Sequence, residues 1–440
     1  MSPFEIGLWS FPCLLILIFL RIPIGLSMLI IGLGGTYIIE GNVNMSLGQL
    51  KHMTYGTFAN YSFSIIPLFL LMGQFAAIGG LSKSLFKTAE SWLGHKKGGV
   101  AMSAIGGCAG FGAICGSSLA TAATMGQVAL PELRKYGYSG ALSTATLAAG
   151  GTLGILIPPS VILVIYAIIA EQNIAKLFAA GFLPGLMAAL FYMLTIRLYI
   201  YYAPNSGGIK ERLPYKKRFK QLATTWPIIT IFALVVGGIY GGFFSPTEAA
   251  AIGAAGTGLI AITNRSLSLN NLKEAILKTA QSTAMIFFIL LGAAIFNSFI
   301  GLTQMPQEAA KLIIDAQISP WLILIAILFL YLLLGCVMDS LSMIILTVPI
   351  FFPVLSGLDF GLAPDEFAIW FGILVLTVVE VGLITPPVGM NLFVINNMAK
   401  DIAIIETFKG VLPFILSDLI RVILLLLFPS ISLCLVWLLY

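Results

Sequence analysis

Residues 117–133 read SSLATAATMGQVALPEL, and residues 339–355 read DSLSMIILTVPIFFPVL. Laid over each other without a gap, at an offset of 222, they match Ser118 with Ser340, Leu119 with Leu341, Pro131 with Pro353 and Leu133 with Leu355. A second block follows in the same order, with Gly154-Ile155-Leu156-Ile157-Pro158-Pro159 over Gly382-Leu383-Ile384-Thr385-Pro386-Pro387 at an offset of 228. A third sets Gly181-Phe182-Leu183-Pro184 over Gly410-Val411-Leu412-Pro413 at an offset of 229. Three blocks in one order read as an internal repeat.

The rest of the chain reads as membrane-embedded. Of its 440 residues, 59% are apolar and only 9% charged, with a mean hydropathy of +1.02. Soluble domains carry about a quarter charged residues, so a soluble globular protein is excluded. The apolar runs are long and unbroken rather than alternating, which selects helical spans over barrel strands. The pattern predicts spans near 6–20, 24–39, 61–80, 139–170, 175–202, 224–243, 247–263, 275–303, 366–397 and 410–440. Segments 98–130 and 319–353 differ, because small or polar residues interrupt them at Gly116-Ser117-Ser118 and at Asp339-Ser340. Each is too long for one crossing, and both read as re-entrant hairpins whose tips stop inside the membrane. Unpaired backbone at such depth is tolerated only where it is buried in protein or lines a water-filled cavity.

Basic residues set the expected orientation, since cytoplasmic loops collect Lys and Arg. The richest loop holds Lys210, Arg212, Lys216, Lys217, Arg218 and Lys220, and is placed inside. Counting crossings from it puts Arg134, Lys135, Lys83, Lys87, Lys96 and Lys97 inside, and the N-terminus outside. The first hairpin then opens to the cytoplasm and the second to the outside, so the two halves are inverted. The net charge of +5 follows from these topology signals, and no nucleic acid partner is expected. Met1-Ser2-Pro3-Phe4-Glu5 lacks a basic n-region, so the first apolar run reads as a retained span. The five cysteines, Cys13, Cys108, Cys115, Cys336 and Cys434, lie in apolar stretches without the spacing of a metal site and read as reduced packing residues.

Inverted repeats with broken helices are the build of secondary transporters, whose sites lie near the midplane. Proline removes a backbone donor and clashes with the carbonyl one turn earlier, so Pro158-Pro159 and Pro386-Pro387 free carbonyls inside their spans. Such carbonyls with nearby hydroxyls suit a small hard cation, and Na+ is the natural candidate. Ser117 and Ser118 offer such ligands at the first tip beside Gly116; the glycines spaced before them also fit close helix packing. Asp339 is an acidic group within an apolar segment, a functional hypothesis by default, with a tip carboxylate near the outer interface or paired with a basic side chain as its alternative. Glu380 stands open between ion coupling and a structural pair. Thr152, Ser160, Thr385 and Asn391 flank the double prolines as ion or substrate ligands, whereas Arg197, Glu248, Asp418 and Arg421 read as boundary or pairing residues. No GxxxxGK[ST], HExxH or GxSxG motif is present, so ATP hydrolysis by a phosphate loop and intramembrane enzymology are unsupported. No cofactor is expected beyond Na+ as coupling ion.

The stretch GSSLATAATMGQVALPEL, the following GTLGILIPPS, the D-S-L of residues 339–341 with TVPIFFPV, and the late EVGLITPPVGMNLFV together resemble the large membrane (M) subunit of TRAP, tripartite ATP-independent periplasmic, transporters. The resemblance covers almost the whole chain. It implies an elevator-type importer of the ion transporter superfamily in the bacterial inner membrane, driven by a Na+ gradient. It also implies two partners, a separate small four-helix membrane subunit and a periplasmic substrate-binding protein that delivers an organic acid. Carried onto this chain, it implies one Na+ site between Gly116, Ser117 and Ser118 and the break from Thr152 through Gly154 to Pro158. A second Na+ site lies between Asp339 and Ser340 and the break from Gly382 through Thr385 to Pro386, with substrate near Thr121, Pro159, Ser160, Pro387 and Asn391. Sialic acid and C4-dicarboxylates are the substrate classes implied, general likeness favouring sialic acid. A stand-alone dicarboxylate or citrate carrier of the same superfamily is the alternative.

The expected organisation is therefore an all-α polytopic membrane protein with inverted repeats, two re-entrant hairpins and two broken helices. Scaffold helices occupy 1–97, the first transport repeat 98–173, further scaffold with the basic loop 203–223 the segment 174–318, and the second transport repeat 319–402. A C-terminal helix fills 403–440.

Overall fold

The computed structural model describes residues 2–440, apart from the side chains at 310, 313 and 314. Every regular element among the described residues is helical. The first half contains α1 (Pro3–Phe19), α2 (Ile24–Glu40), α3 (Val43–Phe58), α4 (Ile65–Ile78), α5 (Leu81–Leu93), α6 (Gly99–Cys115), α7 (Ser118–Lys135), α8 (Gly140–Leu156), α9 (Val161–Ile169) and α10 (Ile174–Tyr202). The second half contains α11 (Tyr215–Ala223), α12 (Trp226–Tyr240), α13 (Pro246–Thr263), α14 (Leu269–Leu302), α15 (Met305–Asp315), α16 (Pro320–Gly335), α17 (Ser340–Ser356), α18 (Pro364–Gly382), α19 (Met390–Met398), α20 (Ile404–Leu427) and α21 (Ser430–Leu439).

The pairs α6–α7 and α16–α17 are the two hairpins, turning at Gly116-Ser117 and at 336–339. Gly116 takes φ +63, a left-handed conformation that glycine adopts without a Cβ penalty. The chain then enters α7 through Ser117, whose hydroxyl accepts from Ala120 N. Asp339 does the same for α17, accepting from Ser342 N at 3.0 Å and Ser342 Oγ at 2.6 Å. Each side chain satisfies a donor that the first helical turn would otherwise leave open. Both double-proline segments interrupt their spans: α8 and α9 meet at a bend of 44°, and α18 gives way to an irregular 383–389 before α19.

The two halves interlock. The second limb of each hairpin packs on the short half-helix of the other repeat, α17 on α9 and α7 on α19. Outside this core, α4 packs on α13 and α2 lies along α14. A Cβ at Gly32 would sit 2.9 Å from Phe296 N, so the absence of a side chain lets those two backbones approach, as small residues do between membrane helices.

The sequence reading differs from the structure in places. The expected C-terminal helix over 403–440 is two helices, α20 and α21, broken at Phe428-Pro429. Pro429 has no N–H to continue the helical ladder, and α21 folds back along α10. Helices α3 and α5 went unread as separate elements because their polar residues break the apolar pattern. Helix α14 begins at Leu269 and carries Lys273, Glu274 and Lys278 in its first turns, an amphipathic start that hydropathy alone places outside the span. Finally, α10 and α20, which the sequence places outside the transport repeats, both pack directly on the broken span α8.

Candidate functional site

The two hairpin tips converge on one carboxylate. Glu380 lies in the last turn of α18 and is fully buried. Its Oε2 accepts from Ser118 Oγ, and its Oε1 accepts from Ser340 Oγ at 2.9 Å. Ser118 and Ser340 are the first residues of α7 and α17 and the matched pair of the internal repeat. The N-termini of two helices, one from each repeat, therefore face the same carboxyl group. Each hydroxyl bond contributes about 0.5–1.5 kcal/mol and gives the buried carboxyl group a partner that its burial requires.

Glycines bring the tips against the breaks. A Cβ at Gly154 would lie 2.5 Å from Thr121 Oγ1 and 2.7 Å from Ser117 O, and one at Gly112 would lie 2.6 Å from Gly154 Cα. In the second repeat, a Cβ at Gly382 would lie 2.6 Å from Gly335 Cα. The same backbone-on-backbone contact thus seats both hairpins on their broken spans. Gly116 lies against the first break, near Pro159 O and Val161 N. At the second, Gly389 N donates to Cys336 O at 3.1 Å.

Two buried oxygens beside the first break lack hydrogen-bond partners, Thr121 Oγ1 and Asn391 Oδ1. The Asn391 amide donates to Ala148 O at 3.2 Å and lies against Gly151, just as Thr121 lies against Gly154. With Ser117 O alongside, the residues packed on this face of α8 present oxygens of the kind a small hard cation takes. Such unsatisfied buried groups call for an explanation in a native fold.

The sequence-derived residues fall into three settings. Ser117, Ser118, Thr121, Gly154 and Asn391 gather at the first tip and break. Ser340 and Gly382 gather at the second, joined to the first through Glu380. Thr385 Oγ1 turns back to the last turn of α18, donating to Val381 O at 2.6 Å, and Asp339 serves as the cap of α17. Pro158, Pro159 and Ser160 are buried, with Ser160 capping α9, whereas Pro386 is half-buried and Pro387 exposed. The first break is thus closed over and the second is open to its surroundings.

Thr152 Oγ1 lies 2.9 Å from Tyr192 Oη, which donates to Asp418 Oδ2 at 2.7 Å. Asp418 Oδ1 accepts from Arg421 Nη2 at 2.8 Å, and this ion pair is fully buried. The chain of contacts ties α8 to α10 and α20. Tyr192 escaped the sequence reading, since a tyrosine in an apolar helix carries no polar signature. The repeat could have found it, because the offset of 229 sets Tyr192 over Arg421, as the offset of 228 sets Thr152 over Glu380.

The family described as "Tripartite ATP-independent periplasmic transporter, DctM component" matches residues 11–431. Among curated relatives, the C4-dicarboxylate TRAP transporter large permease protein DctM of Pseudomonas aeruginosa is 33% identical over 406 residues, 92% of this chain and 93% of that one. The sialic acid TRAP transporter large permease protein SiaM of Vibrio cholerae is 28% identical over 421 residues, 95% of this chain and 96% of that one. The solved YdaH transporter of Alcanivorax borkumensis has the same fold, with a TM-score of 0.65 over 87% of this chain and 88% of that one at 15% identity. A helical protein with paired hairpins, broken spans and a match across nearly its whole length to this family belongs to the DctM large permeases of TRAP transporters, multi-pass transporter components of the bacterial inner membrane rather than enzymes.

Proposed function

We infer that this chain moves an organic acid anion inward against its gradient, coupled to Na+, as the large permease of a system with a small membrane subunit and a periplasmic binding protein. The observation that carries this reading is the buried carboxyl group of Glu380, held by matched serines from both hairpin tips. One Na+ is assigned to Ser117, Ser118 and the break from Thr152 to Pro158, where the free oxygens of Thr121 and Asn391 also lie. The second is assigned to Asp339, Ser340 and the break from Gly382 to Pro386. Substrate is assigned between the tips, near Thr121, Pro159, Ser160, Pro387 and Asn391. The basic loop 203–223 faces the cytoplasm and the N-terminus the periplasm, on the distribution of Lys and Arg.

Movement follows the elevator scheme. Hairpins and broken spans travel as one body with α10 and α20, which the Thr152–Tyr192–Asp418–Arg421 contacts fasten to α8, against the group of α2, α4, α13 and α14. Na+ would act by binding one arrangement more tightly than the other, since a ligand shifts an equilibrium only by that difference.

C4-dicarboxylate and sialic acid, the substrates in the names of two relatives, are the first to test. The experiment is radiolabelled uptake into proteoliposomes under an inward Na+ gradient, with the binding protein and small subunit added or omitted. Accumulation that needs both partners and the gradient supports the reading. Accumulation by the chain alone would make it a stand-alone carrier, and uptake that never exceeds equilibration would remove coupled transport altogether.

A further inference from the structure

The turn between α5 and α6 lies against the last turns of α10. Gly98, at φ +78, makes this possible, since a Cβ there would sit 3.0 Å from both Ile196 Cγ2 and Ile200 Cδ1. The turn thereby sets Lys96 and Lys97 beside Arg197, at the rim of a cleft of about 1080 Å³ walled by Met102, Met193, Leu194 and Leu198. Lys96, Lys97 and Arg197 are exposed, and among the described residues none of the three forms an ion pair. Leu194 and Leu198 also line a second groove, about 550 Å³, between α10 and α20, with Phe191, Pro413, Leu416 and Ile420. They are 53% and 49% exposed and form a ridge with an apolar groove on either side. Three cations line one of the two grooves.

We propose that this is a binding site for one anionic phospholipid, its phosphate on Lys96, Lys97 and Arg197 and its two acyl chains astride the Leu194–Leu198 ridge. Three cations without carboxylate partners favour a headgroup of net negative charge over a zwitterionic one, the rule for basic pockets between membrane helices. The paired grooves distinguish a diacyl lipid from a soluble anion, which would gain nothing from the ridge. Helix α10 packs on α8, so the lipid bears on the helix that supports the first break. The basic residues and the grooves are independent of which substrate or coupling ion the chain takes.

The test is native mass spectrometry of the full chain in detergent, with phosphatidylglycerol and phosphatidylcholine of matched chains in competition and glycerol 3-phosphate as the headgroup without chains. The expected result is a preference for phosphatidylglycerol of about tenfold or more. The triple variant Lys96→Gln, Lys97→Gln, Arg197→Gln loses it, and Lys216→Gln, Lys217→Gln, Lys220→Gln, which removes the same charge from the basic loop, keeps it. If the first triple variant fails to fold, Arg197→Gln alone should still cut the preference severalfold in a chain of unaltered size-exclusion profile. The proposal is overturned by no preference in the unaltered chain, by a preference that survives the cleft variants, or by equal loss in both triples. Glycerol 3-phosphate competing as well as the lipid would also overturn it.

Discussion

Glu380 is the residue on which the two repeats meet, and its environment makes its replacement specific. Glu380→Gln removes the ionisable group that both helix N-termini face while keeping the size of the side chain. It should lower Na+-driven uptake about tenfold or more, with the thermal unfolding midpoint in detergent little changed; normal uptake would remove the carboxylate from the mechanism. Ser118→Ala leaves Oε2 without its donor, a loss of about 1–3 kcal/mol, and should weaken the dependence of uptake on Na+ concentration before it weakens folding. An unchanged Na+ response would separate Ser118 from the ion. In the sequence, Asp339 is the more conspicuous acid because it interrupts an apolar run at a tip. The structure gives that carboxylate to the N-terminus of its own helix and sets Glu380 between the tips. Both are lone acids among apolar residues, and only the fold reveals which of them faces the partner repeat.

At the scale of elements, the hairpins and breaks were legible because small and polar residues interrupt otherwise continuous apolar runs, and because the same interruptions recur in both halves. What stayed hidden was contact between elements far apart in the chain, such as α10 and α20 against α8. Seating depends on bare backbone, so Gly154→Ala, whose Cβ would press on Ser117 O and Thr121 Oγ1, and Gly382→Ala, which would press on Gly335, should each lower stability by about 1–3 kcal/mol. Gly34→Ala, with nothing within 4 Å of its Cβ, serves as the reference in the same thermal unfolding series. Equal midpoints for all three would contradict the close approach. The Asp418–Arg421 pair offers a second check. Arg421→Met leaves Asp418 buried without its counter-ion, at a cost of about 3–5 kcal/mol. Adding Asp418→Asn to it should recover part of that loss, and no recovery would show that packing of Arg421, rather than charge, is what matters.

For the whole molecule, the proposed movement carries the hairpin tips with their broken spans against α4 and its neighbours. Gly73 of α4 lies against the first tip, where its Cβ would be 3.4 Å from Cys115 Sγ, and Cys115 immediately precedes the turn at Gly116. That separation brings a cysteine introduced in place of Gly73 within reach of a disulfide. The decisive measurement is Na+-driven uptake by the Gly73→Cys variant in proteoliposomes, first reduced, then oxidised, then reduced again, with the bond between the introduced thiol and Cys115 verified by peptide mapping. Uptake that stops on oxidation and returns on reduction, with the unaltered chain indifferent to the same treatment, is the predicted result. Full uptake with the bond in place would contradict movement of the tip against α4.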